Sequence, residues 1–140
     1  MADANTLLLA WDGSAPAERA FEFAIEQART RNLALHVVNV IELPEVYGGI
    51  GPSEIDQGEL DRQRAALAGV CARAQAAGVS CTSELRVGVA IDLIIAALKG
   101  SKAIGLVMGR SDKGRVMRWL VGSVSRGLIE QVAVPVTLVP

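Results

Sequence analysis

Two cysteines, Cys71 and Cys81, and one histidine, His36, are all the thiol and imidazole side chains this 140-residue chain possesses. That scarcity excludes a disulfide scaffold and a cysteine or histidine metal cluster. Positive charge is not in excess either. Formal net charge is −1 and the sequence pI about 5.8, so there is no overall basic field to drive sequence-independent nucleic-acid or membrane binding. No apolar run reaches the roughly 18 to 20 residues needed to cross a bilayer. The start, Met1-Ala2-Asp3-Ala4-Asn5, lacks the basic segment and apolar run of a signal peptide, so a cytoplasmic location is expected. Internal repeats, linkers and low-complexity tracts are missing as well, and one domain over residues 1–140 follows from a hydrophobic content of 51%.

What is present is a regular alternation of strand and helix signals. Thr6 to Trp11 is apolar on both faces, as a central strand of a parallel sheet must be, and ends at Asp12-Gly13-Ser14. Ser14 is a candidate N-cap with Pro16 in the first turn, and Ala17, Ala20, Phe21, Ala24 and Ala28 form the apolar face of a helix reaching Arg29. Leu33 to Ile41 reads as a second strand. Pro44, Gly48, Gly49, Gly51 and Pro52 then break all periodicity, which suits a functional loop at that strand's carboxyl end. Helical spacing resumes near Leu60, weakened by Gly58 and Gly69, and stops at Gly78. Val79 to Val87 is more polar, as at a sheet edge. A short apolar helix over Ala90 to Lys99, ended by Gly100, precedes a fourth strand over Ala103 to Met108. A last helix with Val124, Leu128 and Val132 on its inner face leads to a final strand, Val134 to Val139, whose proline suits an edge or an entry position. Such alternation predicts a parallel α/β sheet with right-handed crossovers, whose ligands bind beyond the carboxyl ends of the strands where the winding reverses.

One stretch stands out chemically. Val107-Met108-Gly109-Arg110 continues through Ser111-Asp112-Lys113-Gly114-Arg115 to Gly122-Ser123-Val124 as a strand, a Gly-rich basic loop and a helix start. Main-chain N–H groups at a helix start with Arg and Lys around them favour an anion such as phosphate. The last part of the chain is locally basic, with Lys99, Lys102, Arg110, Lys113, Arg115, Arg118 and Arg126 against Asp112 and Glu130.

The spacing of Gly109 and Gly122-Ser123 resembles the signature of the universal stress protein (UspA-like) family, in which a glycine is followed after two residues by a second and after nine more by Gly-Ser or Gly-Thr. Leu9 to Ser14, Leu35 to Val40, Leu106 to Gly109, and Gly122 to Val124 with Val134 to Val136 carry the resemblance across nearly the whole chain. It implies a single-domain, Rossmann-like open parallel sheet of the adenine nucleotide alpha hydrolase-like kind, five-stranded in the order 3-2-1-4-5, with helices on both faces. It further implies an ATP site, with Mg²⁺, where the first and fourth strands meet. Ala10, Trp11 and Asp12 would lie beside the nucleotide, the backbone near Val40 at the adenine edge, and Met108 and Gly109 at the ribose and phosphates. Gly122, Ser123 and Val124 would cradle phosphate, with charge from Arg110 and Arg115, an inference from their position. Hydrolysis would be slow at most, since no general base and metal site is evident. A homodimer through Val134 to Val139 is implied too, with neither nucleic-acid nor membrane partners.

Asp112 occupies the family's second glycine position. Its carboxylate, about 4 Å from a phosphate, would cost roughly 1 to 4 kcal/mol, so a protein-interaction module of the same fold that holds no nucleotide stands as the alternative. Other chemistries find less support. A Ser14/His36/Asp12 triad lacks the strand-to-helix elbow of a hydrolase, and no Gly-Lys-Ser/Thr follows the glycines to make a Walker A loop. His36, mid-strand on an apolar run, fits a packed or edge residue, and Cys71 and Cys81 fit small buried ones. Trp11 and Trp119 suit packing, Asp12 could simply cap its turn, and Ser123 would cap its helix with or without phosphate.

Overall fold

The structure, a computed structural model, describes residues 5–42, 57–110 and 131–140. Five strands, β1 (Thr6–Ala10), β2 (Ala34–Glu42), β3 (Cys81–Gly88), β4 (Ala103–Gly109) and β5 (Val136–Val139), form one sheet in the order β3-β2-β1-β4-β5. Every pairing is parallel. Among the described residues three helices connect them, α1 (Ala15–Arg31), α2 (Gln57–Ala76) and α3 (Ala90–Ser101). The fold class read from the sequence is therefore the one found.

The apolar runs sort by alternation, since successive strand residues point to opposite faces. Leu7, Leu9, Trp11, Leu35, Val37 and Val107 pack with α1 and α2, whereas Leu8, Ala10, Val38, Val40, Leu106 and Met108 pack with α3. Leu8, Leu9 and Ala10 of β1 and Val37 of β2 are almost wholly withdrawn from solvent, and past Thr6 β1 carries no polar residue on either side. At about 25 cal/mol per Å², each of the buried leucines and valines contributes about 1.5 to 3 kcal/mol.

Local chemistry sets the boundaries. The Ser14 hydroxyl accepts the Ala17 N–H at 3.2 Å, the expected N-cap, so α1 begins at Ala15 with Pro16 in its opening turn. Its far end is closed by Asn32 in the left-handed region, whose N–H reaches Ala28 O. The α3 helix does not stop at Gly100. It runs one residue further, because Ser101 donates its hydroxyl back to Ala97 O at 2.6 Å and Lys102 takes the left-handed cap. Likewise α2 starts three residues before Leu60, absorbing Gly58 as well as Gly69. Pro135 stands just before β5, and its carbonyl accepts the Leu106 N–H, an entry proline as read from the sequence.

Candidate functional site

The carboxyl ends of β1 and β4 lie side by side, because Ala10 pairs with Met108 on one edge and with Val38 on the other. This is the point at which the connections wind in opposite directions, from β1 outward to β2 and β3 or outward to β4 and β5. Ala10, Trp11, Asp12, Val40, Met108, Gly109 and Arg110 all gather at this end of the sheet. Asp112, Arg115, Gly122, Ser123 and Val124 lie outside the described residues.

Immediately after β1 the chain turns through Asp12-Gly13-Ser14. Gly13 has φ +80°, a conformation that a side chain would strain. The half-buried Asp12 accepts the Ser14 N–H on Oδ1 at 3.0 Å, a side-chain-closed turn. The amides at the start of α1 are therefore already engaged: Ser14 N–H by Asp12, Ala17 N–H by the Ser14 hydroxyl, and Glu18 N–H by Ser14 O. With those three donors occupied, the start of α1 has fewer amides left for an anion at this mouth.

Gly109, the last residue of β4, has a packing reason of its own. A Cβ there would stand 2.5 Å from Pro16 C and 2.6 Å from Ala17 N, so the opening turn of α1 crosses directly over it. The close approach this glycine permits is helix to strand. Beyond it, the Arg110 N–H donates to Val139 O at 2.6 Å while its side chain is exposed. Met108 is fully buried among the α3 contacts, leaving only its main chain near the mouth.

Trp11 is 6% exposed and packs with α1 and α2, its indole N–H donated to Glu18 Oε1 at 3.1 Å. Glu18 also pairs with Arg73 of α2 at 2.8 Å, and the Arg73 guanidinium lies 4.6 Å from the centre of the Phe21 ring. The Trp11 ring thus belongs to packing, as its place in an apolar run suggests.

Val40 presents a different surface. Val38 O accepts the Trp11 N–H at 2.9 Å, so by the two-residue period of a strand the main-chain groups of Val40 face the same side. The β1 pairing ends at Ala10 and Val38, so Val40 faces the space beyond the end of β1. A main-chain donor and acceptor at that place can read the edge of a planar heterocycle.

Asn39, beside Val40, carries a polar group that the sequence reading did not single out. It is 3% exposed and donates through Nδ2 to Gln63 Oε1 at 2.8 Å, and Gln63 in turn donates to Glu59. An amide between the apolar Val38 and Val40 was the available signal. His36, nearer the amino end of β2, bonds to Thr82 Oγ1 through Nδ1 at 2.6 Å and lies 3.7 Å from Glu84. It lines a surface groove of about 410 Å³ at the opposite end of the sheet, with Arg86 and Ser101. Those polar groups are already engaged: Glu84 binds Arg86, and the Ser101 hydroxyl donates to Ala97 O. Among the described residues no three His, Cys, Asp or Glu side chains converge as metal ligands.

A doubly wound parallel α/β domain with its crevice between the first and fourth strands is the class these features define. Within that class, the profile of the universal stress protein family matches residues 4–140, and the chain belongs to that family. Solved structures agree in fold. A protein of the family from Burkholderia pseudomallei is 25% identical and superposes with a TM-score of 0.72 over 97% of this chain and 96% of its own. The universal stress protein from Archaeoglobus fulgidus in complex with dAMP is 24% identical, with a TM-score of 0.71 over 100% of both chains. A universal stress protein in complex with cAMP is 22% identical, with a TM-score of 0.70 over 97% of both. No relative was found among curated proteins. No helix among the described residues is long and apolar enough to cross a membrane.

Proposed function

We propose that this chain is a cytoplasmic stress-response module that binds ATP, with Mg²⁺, at the mouth between β1 and β4 and hydrolyses it slowly at most. The observation that carries this reading is Val40, whose main chain faces the space past the end of β1 at a switch point. The dAMP and cAMP held by two structural relatives support an adenine ligand. Adenine would meet the Val40 main chain, and Ala10, Trp11 and Asp12 would border the nucleoside through backbone and carboxylate. With the Ser14, Ala17 and Glu18 amides engaged, phosphates would fall chiefly to Met108, Gly109, Arg110 and Arg115 and to the amides of Gly122, Ser123 and Val124.

Calorimetry with ATP and Mg²⁺ tests this directly. Binding at micromolar to millimolar ATP is expected, and Asp112→Gly tightens it if the carboxylate repels phosphate. No heat at millimolar ATP refutes the nucleotide reading. A second reading, an interaction module without nucleotide, gains from Gly109, since α1 requires a glycine there whether or not phosphate binds.

The homodimer is the other half of the proposal. Edge strand β5 exposes Val136 (39%) and Leu138 (42%), and pairing with its copy would cover them and satisfy the open edge. Sedimentation should show a dimer that Leu138→Lys converts to monomer; a monomeric parent protein ends this half.

A further inference from the structure

The two cysteines that look isolated in sequence meet in space. Cys71, near the end of α2, and Cys81, the first residue of β3, hold their sulfurs 2.8 Å apart. Both are free thiols, Cys71 buried and Cys81 partly open to solvent. A disulfide needs about 2.05 Å between sulfurs, so closure requires about 0.8 Å of movement. These are the only two cysteines in the chain, and they come from different elements, joined through the Gly78 turn.

We propose that Cys71 and Cys81 are a modification site, forming a reversible intramolecular disulfide when the protein meets a peroxide. The thiolate of Cys81, the more accessible sulfur, attacks one peroxide oxygen. The O–O bond breaks, leaving a sulfenic acid on Cys81 and releasing water after protonation. The Cys71 sulfur then attacks the sulfenic sulfur, forming the S–S bond and expelling a second water as its proton is lost. Two thiols and one hydrogen peroxide thus give one disulfide and two waters. Peroxide is reduced and both sulfurs are oxidised. Burial, and then the hydrogen bond with Cys71, push the Cys81 thiol well above the ordinary thiol range, so thiolate is scarce and the first step slow. Once the sulfenic acid forms, its partner is already in contact, which favours disulfide over further oxidation. The product ties α2 to β3 and so fixes the helix that carries Gln63, the partner of buried Asn39.

The test exposes the full reduced chain to millimolar hydrogen peroxide, unfolds it in N-ethylmaleimide and reads the intact mass. Loss of two hydrogens, no maleimide added, a Cys71–Cys81 cross-linked peptide from the monomeric chain, and reversal by dithiothreitol are the expected results. In Cys71→Ser a sulfenic acid should persist on Cys81 and be trapped by dimedone. Two maleimides added under conditions that oxidise a free-thiol control, a disulfide only between chains, or a sulfinic acid on Cys81 beside an alkylatable Cys71 would each overturn the proposal. So would peroxide oxidising Cys71 in Cys81→Ser as fast as it oxidises Cys81 in Cys71→Ser.

Discussion

The two faces of the sheet are covered in different ways. On one, α3 lays Ile91, Ile94, Ile95 and Leu98 against Leu8, Ala10, Val38, Leu106 and Met108, with aliphatic contact throughout. On the other, α1 and α2 add side-chain bonds to their apolar packing: Trp11 to Glu18 to Arg73, Asn39 to Gln63, and Cys71 to Cys81. Apolar burial is strong but non-directional, whereas a hydrogen bond fixes a position. The α2 helix, with Gly58 and Gly69 in it, packs through Leu67, Val70 and Ala74 and has its placement further fixed by those bonds. Both faces thus bury a large apolar cluster, and the α2 face, next to the end of β2, adds positional precision to it.

That contrast can be broken most severely at Ile94. Ile94→Ala should cost about 4 kcal/mol in urea unfolding, mostly through the cavity it leaves; a cost below about 1 kcal/mol would mean that α3 is not anchored by aliphatic packing. Gly109→Ala should cost about 3 kcal/mol, since its Cβ meets helix backbone that cannot rotate away, and calorimetric melting would read it even with no nucleotide present. Asn39→Ala should cost about 1 to 2 kcal/mol, and hydrogen exchange should show faster opening in α2 than in α3. Uniform acceleration of both helices would remove the distinction. The smallest effect concerns Cys81, whose thiol is raised in the folded state. A raised folded value contributes stability that is complete below the ordinary thiol value of 9.0 and is lost as pH rises beyond it. Under reducing conditions the parent should therefore fall off more steeply above that pH than Cys81→Ser, as followed by urea titration at successive pH values.

What rests on local signals was the more legible part of the sequence. Alternating apolar runs and the Ser14 cap gave the elements, and the entry proline placed β5. The resemblance carried by Asp12-Gly13-Ser14 and Gly109 gave the strand order. The α2 face was harder to read, because its bonds join residues far apart in the chain: Glu18 to Arg73, Asn39 to Gln63. Cys71 and Cys81, ten positions apart, lie on either side of a turn whose geometry no spacing rule specifies. Gly109 was found for its spacing, yet the contact that demands it is made by Pro16 and Ala17, which only the fold brings there.

The position of β1 has a consequence for how the protein is made. As the first strand it is needed in the middle of the sheet, and its second neighbour, β4, is translated some hundred residues later, at Ala103–Gly109. During synthesis an aliphatic ribbon therefore waits with one flank unpaired, the arrangement that slows folding and invites association between nascent chains. Fragments ending before residue 103 should accumulate as aggregates, and the ribosome-bound protein would depend on a holding chaperone until β4 arrives.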